Sequence, residues 1–164
     1  MPTLLLVADT GPLIALARLD LLALPSRLYP EVWVTQTVWN ELTIAPRPQE
    51  VRALNAARDA GVLKVADDPL SFPASLVDVG LDAGERTALS LALLRNAAVL
   101  IDERQGRAAA LSVQLPVIGT LGVLVRARRL GFVGPLRPLT EALVGGGYFF
   151  APALLELALA SIGE

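Results

Sequence analysis

The chain of 164 residues contains no histidine and no cysteine. Imidazole general bases, thiolate nucleophiles, disulfides and zinc sites built on nitrogen or sulfur are therefore excluded. Aromatic residues make up only 5%, and the charges nearly cancel, with 14 Lys and Arg against 16 Asp and Glu for a formal net charge of -2. That balance, with a pI near 5.2, argues against a strong sequence-independent grip on nucleic acid, which needs many phosphate contacts. The longest stretch without a charge, Ala108 to Val125, is long enough to raise the question of a membrane span. Ser112, Gln114, Pro116, Gly119 and Thr120 divide it into helix end, short strand and turn, so no span is expected. Met1-Pro2-Thr3 has no basic leader character and no cleavage-site pattern follows, which makes a cytoplasmic location the default.

Apolar side chains, by contrast, are abundant. Hydrophobic residues reach 54% and the mean hydropathy is +0.56, above the usual share for soluble domains. Part of that surface is expected to be covered by another chain, in a homodimer or by a bound partner. The length is that of one domain, expected over residues 1–164 with 136–164 as a C-terminal helical extension. Charge is unevenly distributed. From Asp59 to Glu85 six acids face one base, Lys64, whereas from Ile101 to Arg137 six arginines face two acids. An acidic site beside an arginine-rich flank is compatible with phosphate-bearing substrates.

Apolar runs alternate with helical patterns along the chain. Leu4 to Ala8 reads as a buried strand and Gly11-Pro12 opens a helix over Leu13 to Leu24. Val32 to Val34 reads as a second strand. Thr35 or Thr37 caps the helix after it, which carries Val38, Glu41 and Leu42 and stops before Pro46. A helix over Pro48 to Ala60 closed by Gly61 leads to a third strand, Val62 to Ala66. Asp67 to Val79 reads as loop, and Gly84 to Leu94 as the clearest helix, with Ala88, Leu91, Ala92 and Arg95 at helical spacing. Strand Ala97 to Ile101, helix Arg104 to Val113, strand Val117-Ile118 and helix Leu121 to Leu130 follow, then two short helices separated by Gly145-Gly146-Gly147. Strands separated by helices predict a parallel sheet covered on both faces, a three-layer α/β/α sandwich.

In such a fold Asp9 and Asp102 both end strands, and so fall at the rim where open α/β sheets bind ligands. Glu41 lies late in the helix after the second strand, and Glu85 in the first turn of its helix, where the macrodipole favours its charge. Asp82 either caps that helix or shares the site. Carboxylates gathered at one rim repel each other unless a cation sits among them, and the hard cations suited to oxygen ligands are magnesium and manganese. Arg104 and Arg107, one turn apart after Asp102, are candidates for phosphate contacts, with salt bridges to neighbouring acids as the alternative. Gly119-Thr120-Leu121-Gly122 lacks the lysine and glycine spacing of a nucleoside-triphosphate loop, so Thr120 reads as a helix N-cap. A phosphatase of the haloacid dehalogenase type would need an aspartate where Gly11 stands.

Five segments together carry a resemblance. They are Val7 to Ile14 with Asp9-Thr10-Gly11-Pro12, Thr37 to Leu42 with Asn40-Glu41, Leu81 to Ala88 with Asp82-Ala83-Gly84-Glu85, Leu100 to Arg104, and Gly119 to Gly122. In this order, over nearly the whole chain, they resemble the PIN-domain nucleases, and more closely a short prokaryotic PIN-like, toxin-like group often encoded beside a small antitoxin-like partner. The resemblance implies a metal-dependent endoribonuclease in which Asp9, Glu41, Glu85 and Asp102 bind magnesium or manganese, with Thr10 as a nearby hydroxyl. Many members have an aspartate where this chain has Glu85, which keeps Asp82 as the alternative there. The rival reading is a PIN-like fold kept as a binding or regulatory protein without catalysis.

Overall fold

The computed structural model describes residues 4–44, 47–77 and 79–164. The expectations that rest on Met1-Pro2-Thr3 and on Pro46 lie outside these residues. Five short strands form one parallel sheet: β1 (Leu6–Ala8), β2 (Val32–Thr35), β3 (Lys64–Ala66), β4 (Ala98–Leu100) and β5 (Val117–Ile118), in the spatial order β3-β2-β1-β4-β5. Every residue of β1 and β4 is buried. A parallel sheet covered on both faces requires such unbroken apolar strands, which is why Leu-Val-Ala and Ala-Val-Leu read without alternation. Helices flank the sheet as the outer layers, giving the three-layer α/β/α arrangement anticipated above.

The helices are α1 (Thr10–Arg18), α2 (Leu24–Leu28), α3 (Gln36–Ile44), α4 (Pro48–Asp59), α5 (Ala74–Val77), α6 (Ala83–Arg95), α7 (Arg104–Ser112), α8 (Thr120–Arg129), α9 (Arg137–Gly145) and α10 (Pro152–Ala160). The most buried of them is α6, which packs on β1, β2 and β4 and hides Ala88, Leu89, Leu91 and Ala92. The chain runs outward from β1 through β2 to β3, then returns to place β4 on the other side of β1. The direction of winding reverses beside β1, so the loops after β1 and β4 diverge there and leave a crevice. Asp9 N–H donates to Leu100 O at 2.9 Å, which holds the ends of these two strands level.

Three local readings are corrected. The single helix expected over Leu13 to Leu24 is two: α1 ends at Arg18, Asp20 turns left-handed at φ 57, and Leu21 N–H bonds back to Leu16 O at 2.8 Å. Leucine periodicity continues through the break because Leu22 and Leu24 still face the core, so pattern alone does not reveal the turn. The loop Asp67 to Val79 contains the one-turn helix α5, pinned by the buried Leu76. Thr120 is not the N-cap of α8; Gly119 is, and the Thr120 hydroxyl is engaged elsewhere. The cap expected at Thr35 is present, since its Oγ1 accepts from Val38 N–H at 3.2 Å.

The C-terminal helices are fastened to the core. Leu136, Leu143 and Leu159 are buried, and the Glu164 carboxylate accepts from Leu136 N–H and Arg137 N–H, each at 2.8 Å, closing the chain end onto the start of α9. Among the described residues no helix is long and apolar enough to cross a membrane.

A buried hydroxyl pair sets the spacing of the two helices that bear acids. Thr35 Oγ1 and Thr87 Oγ1 lie 2.8 Å apart, and Thr87 Oγ1 also donates to Gly84 O at 3.0 Å. The end of β2, and with it the start of α3, is thus tied to the first turn of α6. A Thr35→Val variant would strand the Val38 N–H and lose the tie, and should lower stability by about 1–3 kcal/mol. Urea denaturation should show an earlier midpoint with an unchanged slope.

Candidate active site

Six chain segments meet at the crevice beside β1. Asp9 occupies the N-cap position of α1 and is 6% exposed. Next to it, Thr10 Oγ1 donates to Glu41 Oε2 at 2.6 Å, reaching from α1 to α3. The Glu41 carboxylate lies against the backbone of α6 at Gly84, where an added Cβ would stand 2.6 Å from Glu41 Oε2. Only glycine lets the helix approach this closely, which accounts for Gly84 beside Glu85 in the sequence.

Asp82 and Glu85 form a reciprocal cap at the start of α6. Glu85 N–H donates to Asp82 Oδ1 at 2.8 Å, and Asp82 N–H donates to Glu85 Oε2 at 3.0 Å. Asp82 lines the crevice, whereas Glu85 is buried, with its Oε1 toward Gly106 of α7. Asp82 thus caps the helix, as one of the two readings has it, and also lines the crevice.

Asp102 is held from the far side. Its Oδ1 accepts Thr120 N–H at 2.8 Å and its Oδ2 accepts Thr120 Oγ1 at 2.6 Å. Tyr148 also donates its hydroxyl to Asp102 Oδ2. A Cβ at Gly119 would lie 2.8 Å from Asp102 Oδ1 and 2.7 Å from an Arg107 guanidinium nitrogen, so the first glycine of Gly119-Thr120-Leu121-Gly122 is a requirement of close approach. Arg107 donates to Ile101 O at 3.1 Å, and neither Arg104 nor Arg107 is paired to an acid among the described residues. Both arginines line the same cleft as the acids.

The electrostatics follow from this crowding. Burial, above all, pushes the Asp9 carboxyl up from 3.8 to about 7; the backbone at Thr10 opposes the rise, and the charges of Asp82, Glu85 and Glu41 add to it. Burial also raises Glu85, against the pull of the Asp82 N–H, with Asp82, Glu103 and Glu41 as like charges nearby. Burial raises the Tyr148 hydroxyl as well, and the adjacent Asp102 charge adds to this, so Tyr148 stays a protonated donor. Among the described residues no three carboxylates come close enough to form a cation site as they stand.

The cleft extends to about 1520 Å³. Besides the acids it is lined by apolar side chains, among them Leu111 of α7, Val125 of α8, Phe149, and Leu154 and Leu157 of α10. Tyr148 and this apolar lining are what reading the sequence misses. The available signal is the run of three aromatics, Tyr148-Phe149-Phe150, after the triple glycine. Phe149 is 81% exposed.

Because unfolded Asp9 ionises near 3.8 and folded Asp9 near 7, the native state binds the extra proton between these values and stability falls as pH rises through that window. Asp9→Asn should therefore melt above the parent at pH 8, by a margin of order 2–4 kcal/mol in the absence of divalent cations, and the margin should vanish near pH 4. Manganese or magnesium should raise the parent's melting temperature and leave that of Asp9→Asn unmoved, a pair of results that calorimetry across pH checks directly.

A family model described as a PIN domain matches residues 5–164. The fold is similar to the crystal structure of PAE2754 from Pyrobaculum aerophilum at a TM-score of 0.52 and 16% identity, covering 77% of this chain and 91% of that one. No curated protein matches the sequence. With the family match spanning all five strands and the acidic crevice between them, the chain belongs to the PIN-domain family.

Proposed function

We propose that the protein is a cytoplasmic, divalent-metal-dependent endoribonuclease, the toxin-like member of a toxin-antitoxin pair. The observation that carries this reading is the set of acids brought to one rim with too few counter-charges, most plainly Asp9, which burial, with the added charges of Asp82, Glu85 and Glu41, raises to about 7. The donors are all oxygen, as a hard cation requires, and Gly84 lets the Glu41 carboxylate lie against the start of α6. The residues that would hold magnesium or manganese are Asp9, Glu41, Glu85 and Asp102.

When bound, such an ion makes water more acidic and neutralises charge that develops on a phosphate. The chain's own residues do the rest. Thr10 orients Glu41, Asp82 orients Glu85, and Thr120 with Tyr148 orients Asp102, so each acid presents a fixed lone-pair direction. Arg104 and Arg107 face the cleft as contacts for the phosphodiester backbone. The apolar surface at Leu111, Leu154 and Leu157, each more than half exposed, supports a homodimer or a small antitoxin-like protein partner.

A second reading, a PIN-like binding protein without catalysis, draws on the separation of the acids and on the donors that already occupy Asp102. Substitution separates the two. Asp102→Asn should reduce chelator-sensitive RNA cleavage by about 100-fold or more while the circular dichroism spectrum stays that of the parent. Equal cleavage by parent and variant would point to a contaminating nuclease, and no cleavage by the parent in manganese would favour the binding protein. Glu85→Gln should lose cleavage to the same extent; Asp82→Asn, which can still cap α6, should lose less.

A further inference from the structure

Of the four Phe, two Trp and two Tyr in the chain, three fall at consecutive positions, Tyr148-Phe149-Phe150, between the triple glycine and α10. All three line the cleft that holds the acids. The Tyr148 hydroxyl bonded to Asp102 fixes the start of this aromatic step against the acidic rim. The Tyr148 and Phe150 rings pack on each other at 5.2 Å and a tilt of 56°, which steadies the step from both ends. Phe149 between them is 81% exposed. A large ring held in water on the wall of a cleft, with its neighbours locked in place, has no packing role to explain it.

We propose that Phe149, braced by Tyr148 and Phe150, is a stacking platform for an unpaired nucleobase next to the phosphate held at the acidic rim. The inference rests on the nuclease reading and adds to it a subsite, centred on Phe149, for an unpaired base. Charge supports the assignment. Carboxylates repel a phosphate backbone, and the two arginines that line the cleft, Arg104 and Arg107, are few against Asp9, Glu41, Asp82, Asp102 and Glu103, which line it too. Affinity for an RNA strand must then come in good part from a contact that carries no charge, and stacking of a base on an exposed ring is such a contact, tolerant of base identity. Bases within a duplex are already stacked on each other and cannot take this position.

The test uses the full chain and a single-stranded RNA oligonucleotide carrying 2-aminopurine, mixed in a stopped-flow instrument and read before turnover. Binding to the parent should quench the probe. Phe149→Ala should lose the quench and weaken binding about tenfold, and Phe149→Trp should restore both. Because stacking is uncharged, the ratio of parent to variant affinity should stay constant between about 50 and 200 mM salt while both affinities fall. An oligonucleotide with an abasic site in place of the probe should bind parent and Phe149→Ala alike. With Phe149 this exposed, the variant should retain the parent's circular dichroism spectrum. Equal affinity and equal quench in parent and Phe149→Ala, with RNA still cleaved by both, would overturn the stacking subsite and leave the nuclease reading intact. A fall in mass by light scattering with unchanged RNA affinity would assign Phe149 to contact with a second copy of the chain. If the parent neither binds nor cleaves RNA, both inferences fail together.

Discussion

Burial of carboxylates at one rim is the constraint to which the rest of this structure answers. Asp9 sits almost out of water, which above all raises its proton affinity, and the charges of Asp82, Glu85 and Glu41 add to the rise. Nothing in hydrophobic packing favours that arrangement. The fold stabilises it by giving each remaining acid its own donor: Thr10 for Glu41, the Asp82 N–H for Glu85, and the Thr120 N–H and hydroxyl for Asp102. Charge-assisted bonds of this kind are stronger than neutral ones and hold each carboxylate to one orientation. The same tethers fix where each carboxylate stands relative to the others.

Holding the tethers in place is the work of the sheet and of close backbone contacts. The order β3-β2-β1-β4-β5 puts the ends of β1 and β4 side by side, and a different order would separate Asp9 from Asp102. The Thr35–Thr87 pair then sets α3 against α6, and Gly84 allows the Glu41 carboxylate to lie on the α6 backbone. Gly119 does the same for Asp102 and Arg107 on the other side. Each of these approaches is at or below ordinary contact distance for a side chain, so the site tolerates little substitution around it. The C-terminal arm completes the arrangement, since Tyr148 returns from the far end of the chain to Asp102. One crevice thus combines residues from the first strand to the last connection.

Much of this architecture was legible beforehand. The parallel α/β class follows from apolar runs without alternation, separated by helical periodicity, and each of the five strands lies within the span read for it or extends it by one residue. The acids Asp9 and Asp102 were legible because an aspartate directly after a buried strand has one place to go, the rim. The split of Leu13 to Leu24 into two helices was not legible, because the leucines keep facing the core through the turn at Asp20. Thr120 was misassigned for a related reason. A threonine at the start of a helix reads as a cap, and its actual partner lies 18 residues earlier in the chain.

By itself the sequence determined the chemistry available: with no His and no Cys, an oxygen-donor site built on carboxylates is what the chain can make. It also determined the strand ends on which two of those carboxylates lie, since burial of an unbroken apolar run is a local property. Tertiary structure alone decided how the acids relate to one another. Whether Glu85 faces the cleft or lies beneath it, whether Asp82 caps or lines, and which donors occupy Asp102 all depend on contacts between segments far apart in the chain. Tyr148 shows this most clearly, because nothing local to an aromatic after three glycines specifies a carboxylate 46 residues away; the packing of α9 and α10 on the core does.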